Sequence, residues 1–310
     1  MTLYALHENP DWFPPFATAF DAADLDYEEW LLVDGAIDLD SSPPEGIFWN
    51  RLSASSHTRD HPHSKDYTRA VLDWLEAHRR RVVNGRSVVE MEVSKVRQLT
   101  ALTAFGIEAP RTVAVIGRDD LLAQAANVPT PFITKHNQGG KGLGVRRFDN
   151  IASFETYATS EEFEEPVDGI TLLQEYVQPR SPFITRVETV GYEYVYAITA
   201  DTDRGGFQLC PADACELDES GQPRAAESLF ALREDFEHPI VDQFLGFARK
   251  HRLEIAGFEF IEAADGRIVT YDVNTNTNYN PDVEKLAPKS GPGEIAKYLQ
   301  RIEAETYALA

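Results

Sequence analysis

The strongest constraint on this chain is a predicted β-hairpin near its carboxyl end. The dipeptide Asp265–Gly266 separates two runs rich in Ile, Val, Phe and Tyr, which is typical of two strands joined by a two-residue turn. Counting back along both strands from that turn places Glu259 directly opposite Asp272. Asn274 lies two residues further on, so its side chain points to the same face.

This pairing places two acids where a fold gains nothing from them. Side chains directly opposed on antiparallel strands have Cβ atoms roughly 4.5–5.5 Å apart, and like charges there destabilise the pair. Glu259 and Asp272, with the amide oxygen of Asn274, offer hard oxygen ligands of the kind that Mg²⁺ prefers. The alternative is that one carboxylate is protonated or turned to solvent.

Composition indicates a globular protein with more than one core. At 310 residues, the chain exceeds the size of a usual single core and predicts two or three packed subdomains. No apolar run approaches the length of a membrane span, and acid and proline residues occur too early for a signal peptide. Cys210 and Cys215 predict no disulfide framework and make only half of a zinc site. We therefore expect a cytoplasmic protein.

The charge excludes some classes of partner. Against 51 Asp and Glu residues there are 29 Lys and Arg residues, which gives a formal net charge of −22. Such a chain repels nucleic acid and acidic membrane surfaces, so we expect neither as a partner. Small anions can still bind where a few cations and backbone N–H groups converge. The sequence leaves open whether the chain forms a homo-oligomer.

The first ninety residues alternate strand-like and helical runs. Residues 30–33 and 46–50 have the composition of short buried strands, and the apolar residues of 64–80 recur at helical spacing. This alternation predicts a small α/β domain with a parallel sheet. Between these elements, residues 51–63 are polar and carry three histidines. That segment could be a substrate lip, a metal site or an exposed loop.

A lysine begins the next predicted helix. Apolar residues recur every third position in residues 92–105, and Gly106 is a typical helix stop. Lys95 lies in the first turn, where the helix dipole favours acids over cations. This position favours a functional role for Lys95.

A glycine-rich loop joins two further predicted strands, residues 131–135 and 144–148. Its glycines are Gly139, Gly140, Gly142 and Gly144. The backbone N–H groups of such a loop can approach phosphate oxygens. The loop is not a P-loop, because Gly142 follows Lys141 where Ser or Thr is required, and a strand rather than a helix comes after it. It is therefore either a lid over phosphates, with Lys135 placed to reach them, or a mobile hairpin tip.

Two more strands carry candidate residues. The apolar strand 171–177 ends in Gln174, Glu175, Tyr176 and Val177. The free backbone edge of those residues could bind adenine. Arg186 lies in the apolar alternation of a second predicted hairpin, residues 183–200. It should therefore point into a polar site or pair with an acid such as Glu188 or Glu193.

Taken in order, these features resemble the ATP-grasp superfamily and, within it, the RimK-like glutamate ligases. The likeness covers residues 88–280 and depends on the order and spacing of several motifs. It is carried by Lys95, Lys135 with the glycine-rich loop, residues 174–177, Arg186, Glu259, Asp272 and Asn274. The resemblance implies a mixed α/β and α+β architecture, in which two subdomains clamp ATP behind a small amino-terminal α/β domain. The corresponding domains would be residues 1–90, 91–170 and 171–310.

The resemblance also implies roles for these residues. Lys95 and Lys135 would contact the α and β phosphates of ATP beneath Gly139, Gly140 and Gly142, and residues 174–177 would hold the adenine. Glu259, Asp272 and Asn274 would bind one or two Mg²⁺ ions, with Mn²⁺ as a substitute. Arg186 would stabilise the transferred phosphoryl group or acyl phosphate, and Lys141 is a second catalytic candidate.

The reaction implied is amide formation. A substrate carboxylate would take the γ-phosphate, and an amine from a small molecule or peptide would displace it to give an amide, ADP and phosphate. Two alternatives are a kinase of a small hydroxyl substrate and a nucleotide-binding module without turnover. No Gly-x-Ser-x-Gly signature of a serine hydrolase is present.

The sequence departs from the family pattern after Asn274. Family members commonly run into small residues and Pro-Gly there, whereas this chain has an asparagine-rich run over residues 275–281. The acceptor usually binds at this point, so its identity cannot be carried over. Asn276 is the predicted substrate contact. Residues 207–215 also lie outside the family motifs and could shape the substrate pocket.

Overall fold

The computed structural model describes residues 1–140, 142, 144–206 and 228–309. Three sheets, each built from its own stretch of chain, make up the architecture. Cys210, Cys215, Lys141 and the predicted pocket segment 207–215 lie outside the described residues. None of the helices described is both long and apolar enough to cross a membrane.

The amino-terminal sheet has four parallel strands in the order β2-β1-β3-β4. The strands are β1 (Leu3–His7), β2 (Tyr27–Leu31), β3 (Ile47–Asn50) and β4 (Arg81–Val83), and the helices are α1 (Pro14–Ala22), α2 (Ser64–Ala77) and α3 (Arg86–Glu92). This confirms the predicted α/β domain. The prediction that residues 30–33 form a buried strand was wrong, because β2 lies at the edge of the sheet and is largely exposed.

The middle sheet is antiparallel, in the order β5-β8-β6-β7. Its strands are β5 (Thr112–Ile116), β6 (Phe132–His136), β7 (Arg146–Phe148) and β8 (Ile170–Glu175), and its helices are α5 (Leu121–Ala125) and α6 (Ile151–Thr159). Helix α4 (Lys95–Phe105) precedes this sheet in the chain and packs against the strand Ile268–Asn274 of the third sheet. The glycine-rich loop joins β6 to β7 at one end of this sheet.

A helix break sets the start of α4. Residues 92–105 were expected to form one helix, but α3 ends at Glu92 and α4 begins at Lys95. Ser94 lies between them with extended backbone, and its hydroxyl accepts a hydrogen bond from the N–H of Arg97, as an N-cap does. Lys95 is therefore the first residue of its helix.

The carboxyl-terminal sheet is antiparallel, in the order β11-β10-β9-β12-β13. Its strands are β9 (Phe183–Val190), β10 (Glu193–Asp201), β11 (Phe230–Leu232), β12 (Ile255–Glu262) and β13 (Ile268–Asn274), and its helices are α7 (Thr202–Gly205), α8 (Ile240–His251), α9 (Pro281–Leu286) and α10 (Gly291–Leu309). One face buries Val187, Phe258 and Val273 beneath α8. The other face carries the polar residues described below.

The hairpin of β12 and β13 reaches its predicted register by a different route. The turn has three residues, because the N–H of Ala263 donates to the carbonyl of Arg267 and Gly266 takes a positive φ of 92°. A β-bulge at Tyr271 then shifts the pairing by one residue, so that Glu259 lies opposite Asp272 as expected. The predicted two-residue turn was wrong, and the bulge compensates for the longer one.

Phe258 anchors the apolar face of this sheet. It is fully buried and stacks on Phe244 with 4.5 Å between the ring centroids. We expect Phe258→Ala to lower the free energy of unfolding by about 3–5 kcal/mol. Ile116→Ala, at a side chain that is 78% exposed, should change it by less than about 0.5 kcal/mol. Urea denaturation measures both, and equal losses would contradict this account of the core.

A buried histidine makes the stability of the amino-terminal domain depend on pH. His7 stacks on Phe13, and its Nε2 lies 3.1 Å from Oε2 of Glu29. Burial, with a smaller contribution from Arg51, lowers the pKa of His7 to about 4. Between that value and its ordinary pKa, the unfolded chain binds more protons than the folded one, so stability falls as the pH falls.

The His7→Phe variant should lack this dependence. From pH 7 to pH 5, the wild type should lose about 2 kcal/mol of unfolding free energy more than the variant loses. Urea denaturation of both proteins at the two pH values gives the difference, and the subtraction removes the contribution of every other titrating group. Parallel losses in the two proteins would show that His7 is protonated as easily in the fold as in the unfolded chain.

Candidate active site

A cavity of about 640 Å³ lies where the three sheets meet. Nearly all of the candidate residues line it: Lys95, Lys135, Gly139, Gly140, Gly142, Gln174, Glu175, Tyr176, Val177, Arg186, Glu259, Asp272, Asn274 and Asn276. Lys141 lies outside the described residues. The fold thus brings together residues from α4, β6, β8, β9, β12 and β13.

Cross-strand pairing fixes the polar face of the carboxyl-terminal sheet. One row across the strands contains Arg186, Glu259 and Asp272, and the next contains Glu188, Gly257 and Asn274. Side chains in adjacent rows of this kind are spaced two residues apart along each strand and point to the same side. The two predicted acids therefore face the cavity side by side, with an arginine as their neighbour.

Two lysines hold Asp272 ionised. The Nζ of Lys95 donates a hydrogen bond to Oδ1 of Asp272, and the Nζ of Lys135 lies 3.8 Å from Oδ2. Burial opposes ionisation of Asp272, but the two ammonium groups outweigh it and hold its pKa below the ordinary value. Burial also lowers the pKa of Lys135 to about 8, although Asp272 opposes that shift.

The negative charge of Glu259 is less fully compensated by neighbouring cations than that of Asp272. Its Oε2 accepts a hydrogen bond of 2.8 Å from the hydroxyl of Tyr271, and its Oε1 accepts one of 3.0 Å from Nδ2 of Asn274. The Nη1 of Arg186 is 3.5 Å from the same Oε1. Burial and the charge of Asp272 together raise the pKa of Glu259. A cation placed between the two carboxylates would relieve this repulsion.

The ligand set fits a hard divalent cation. Asp272 and Glu259 offer carboxylate oxygens, and Asn274 donates to Glu259 through its nitrogen, which leaves its amide oxygen for another partner. All of these are the oxygen ligands that Mg²⁺ prefers. Within the described ranges, no three His, Cys, Asp or Glu side chains group closely enough to hold a metal ion. A metal here would therefore take two carboxylates, an amide and ligands from outside the protein.

The cluster is electrically balanced before any nucleotide binds. Its cations are Lys95, Lys135 and Arg186, and its acids are Glu188, Glu259 and Asp272. A polyphosphate would add several negative charges that these cations, already paired, cannot neutralise alone. Divalent cations bound with the polyphosphate would supply the missing charge.

The segment predicted to hold adenine lies at the other end of the cavity. The N–H of Glu175 donates to the carbonyl of Arg111, and that of Tyr176 donates to the carbonyl of Pro131. The expectation of free N–H groups along this edge was therefore wrong for these two residues. Val177 supplies the segment's one N–H with no partner among the residues described, and Ile133 and Ile261 add apolar lining nearby.

The asparagine-rich turn closes the opposite end. Asn276 lines the cavity, and its buried Oδ1 has no hydrogen-bond partner in the described part of the chain. The turn is held from behind by Arg51, whose Nη2 donates to the carbonyl of Thr277 at 3.1 Å and to Oδ1 of Asn278 at 2.9 Å. Burial lowers the pKa of Arg51 to about 9.

Sequence reasoning named no individual residue at several positions of the site, although a substrate lip was one of the alternatives predicted for residues 51–63. Trp12, Ser53 and Ser55 of the amino-terminal domain line the cavity. The last two belong to the polar segment 51–63, whose first six residues are buried rather than exposed. They follow β3, at the carboxyl edge of a parallel sheet where ligands commonly bind, and this was the available signal. Tyr271 was also missed, because only the bulge turns it toward Glu259.

The comparisons with known proteins agree on the fold. No protein-family model matches the chain, and neither does any curated protein. Among solved structures, the D-cycloserine synthetase DcsG matches with a TM-score of 0.66 and 17% identity, over 96% of this chain and 99% of the synthetase. A RimK-domain ATP-grasp protein from Sphaerobacter thermophilus DSM 20745 matches with a TM-score of 0.65 and 14% identity, over 96% and 99%.

A third match carries ligands. The ATP-grasp ligase PsnB, in complex with a minimal precursor, Mg and ADP, matches with a TM-score of 0.64 and 15% identity over 96% of both chains. The chain has the ATP-grasp fold. The predicted fold class is thereby confirmed, as is the resemblance to RimK-like proteins at the level of the fold. In this chain, the cavity described above lies between the three sheets.

Removing either acid should remove metal-assisted nucleotide binding. We expect Mg²⁺ to tighten ADP binding to the wild type and to have little effect on Asp272→Asn or Glu259→Gln, because each variant lacks one of the two carboxylates. Calorimetric titration with ADP, with and without Mg²⁺, measures this. Glu193→Gln, at an exposed position of β10 outside the cavity lining, is the control. An unchanged Mg²⁺ effect in both site variants would contradict the metal assignment.

Proposed function

We propose that this chain is an ATP-dependent carboxylate–amine ligase that forms an amide through an acyl phosphate and releases ADP. The observation that carries the proposal is a cluster of charged residues in one cavity: Lys95, Lys135, Arg186, Glu259 and Asp272. The cluster lies between residues 174–177, which are predicted to hold adenine, and the asparagine-rich turn. The structural similarity to DcsG and PsnB supports the same class of reaction.

Nucleotide binding is assigned to the end of the cavity near β8. The N–H of Val177, which has no partner in the described part of the chain, and the apolar side chains of Ile133 and Ile261 would contact the adenine. Lys135 lies near the end of β6, just before the glycine-rich loop, and would reach the phosphates together with Lys95. Mg²⁺ held by Glu259, Asp272 and Asn274 would neutralise phosphate charge and orient the transferred group.

The chemistry needs no covalent protein group. A carboxylate oxygen of the first substrate attacks the γ-phosphorus, and ADP leaves. The amine of the second substrate then attacks the acyl carbon, phosphate leaves, and the amine loses a proton. Arg186, whose Nη2 has no partner in the described chain, would bind the anionic oxygens of the acyl phosphate.

The second substrate is assigned to the end of the cavity near Asn276. Its unpartnered Oδ1 is a hydrogen-bond acceptor of the kind that an amine donor requires. Trp12 and Ser53 would complete this end from the amino-terminal domain. Because PsnB was solved with a precursor, peptides belong among the acceptors to test, beside free amino acids.

A screen of carboxylate and amine pairs tests the function directly. With Mg²⁺ and ATP, phosphate release should require both a carboxylate and an amine, and mass spectrometry should detect the amide. Phosphate transfer to a hydroxyl compound without an amine would instead identify a kinase. Nucleotide binding without turnover of any pair would identify a regulatory module.

Lys135 provides a test on the nucleotide side. Lys135→Ala should raise the ATP concentration needed for half-maximal rate by about tenfold or more, because a buried ammonium within reach of the phosphates is lost. Lys297→Ala, at an exposed helix position, should leave the ATP requirement unchanged. Initial rates over a range of ATP concentrations measure both. A normal ATP requirement in the Lys135 variant would contradict this role.

A further inference from the structure

The guanidinium of Arg186 lies across a position on β12 that has no side chain. Gly257 pairs with Glu188 on one side and with Asn274 on the other, one row away from Arg186. A Cβ atom added to Gly257 would lie 2.7 Å from Nε of Arg186, 2.9 Å from Nη2 and 3.1 Å from Cζ. Real Cβ atoms essentially never approach another heavy atom within 3.0 Å. A side chain at position 257 would therefore displace the guanidinium of Arg186 from the place it occupies.

The backbone gives no other reason for this glycine. Gly257 is not among the glycines with positive φ, so an L-residue could adopt its conformation. Glycine inside a strand weakens the strand and contributes no side-chain packing. At Gly257 the requirement is therefore spatial, and the neighbour that creates it is Arg186.

Glu188 provides the second constraint on the arginine. Its Oε1 lies 2.6 Å from Nε of Arg186, and the two side chains are 1% and 6% exposed. This ion pair binds the inner edge of the guanidinium, away from the row that holds Glu259 and Asp272. Burial raises the pKa of Glu188 to about 7, although the guanidinium opposes that shift.

The position of the guanidinium limits its contact with the acid Glu259 beside it. Arginine commonly binds a carboxylate through two parallel hydrogen bonds. Here Nη1 stays 3.5 Å from Oε1 of Glu259, and Nη2 has no partner in the described chain although it is buried. Glu259 is thus held by Arg186 through one long contact only, and Nη2 of Arg186 is left without a partner in the described chain.

We infer that Gly257 and Glu188 are positioning residues for Arg186. Gly257 supplies the space and Glu188 the counter-charge that hold the guanidinium flat against β12, and the buried Nη2 is the donor that an oxyanion bound beside Arg186 would take. The assignment of that oxyanion to the transferred phosphoryl group rests on the proposed function, whereas the positioning itself does not. Inorganic phosphate, the product that carries this group away, is the probe.

A double-mutant cycle tests the positioning without any substrate. Gly257→Ala should lower the urea midpoint clearly when Arg186 is present, because the added methyl group displaces the guanidinium. In the Arg186→Ala background, the same change should have little effect, since the space is then empty. The same loss in both backgrounds would overturn the inference.

Phosphate binding tests what the positioning does. Each protein is first saturated with Mg²⁺ and ADP and then titrated with inorganic phosphate in a calorimeter. Gly257→Ala and Glu188→Gln should bind Mg-ADP within about twofold of the wild type but phosphate at least about tenfold more weakly, as expected for loss of a charged hydrogen bond. A role in folding alone would not separate these two affinities.

Two control variants carry the same chemical changes at positions away from Arg186. Gly246→Ala adds the same methyl group in α8, against Phe105, and Glu193→Gln makes the same charge change at an exposed position of β10. Both controls should keep wild-type phosphate affinity. If the wild type binds Mg-ADP and both site variants keep their phosphate affinity, the inference fails. If the wild type binds no Mg-ADP, the proposed function fails, and the double-mutant cycle still decides the positioning.

Discussion

The structure depends on a buried set of opposed charges that no single sheet could hold alone. Glu259 and Asp272 face each other on β12 and β13, and their counter-charges come from three other elements: Lys95 on α4, Lys135 on β6 and Arg186 on β9. Charges removed from water are tolerated only when they are paired, and removal of one partner leaves the other uncompensated. The same ion pairs that form the candidate site therefore also join the middle sheet to the carboxyl-terminal sheet.

The amino-terminal domain is joined to this core by a second polar network. Asn84, fully buried, donates from Nδ2 to the carbonyls of Ile255 and Thr275 and accepts at Oδ1 from the N–H groups of Glu254 and Ile255. One asparagine thus satisfies backbone groups from two segments of the carboxyl-terminal sheet region. Because a half-satisfied buried network is costly, such a residue fixes the relative placement of the parts it joins. Asn50 extends this network toward the cavity, because it donates from Nδ2 to the carbonyl of Asn84 and accepts at Oδ1 from the N–H of Leu52.

The sequence predicted the sheet and helix types well, and it missed where local geometry departs from a regular pattern. Glu259 was expected opposite Asp272 from a two-residue turn, and the pairing exists because a three-residue turn and a bulge at Tyr271 cancel each other. A period-two pattern alone cannot reveal a bulge, since the extra residue depends on tertiary packing. The start of α4 was predictable, because Ser94 is a good N-cap.

Other departures had no sequence signal. The backbone N–H groups of Glu175 and Tyr176 are taken by Arg111 and Pro131, residues about 45 to 64 positions earlier in the chain. Contacts at such separation follow from the assembled sheet. The pairing of Arg186 was predicted only as a choice between a polar site and an ion pair, and the structure has both. Its Nε pairs with Glu188, while its Nη2 is buried without a hydrogen-bond partner in the described chain.

The asparagine-rich run shows why a sequence motif need not have one role. Asn274 donates to Glu259, Asn276 faces the cavity, Asn278 accepts from Arg51, and Asn280 caps α9 through hydrogen bonds from Asp282 and Val283. The chain leaves the regular strand after Asn274, so each asparagine of the run meets a different environment. An amide suits all four because it both donates and accepts. Asn276 therefore lies between Asn274, which is tied to the candidate metal ligand Glu259, and Asn278, which is tied to Arg51 of the amino-terminal domain.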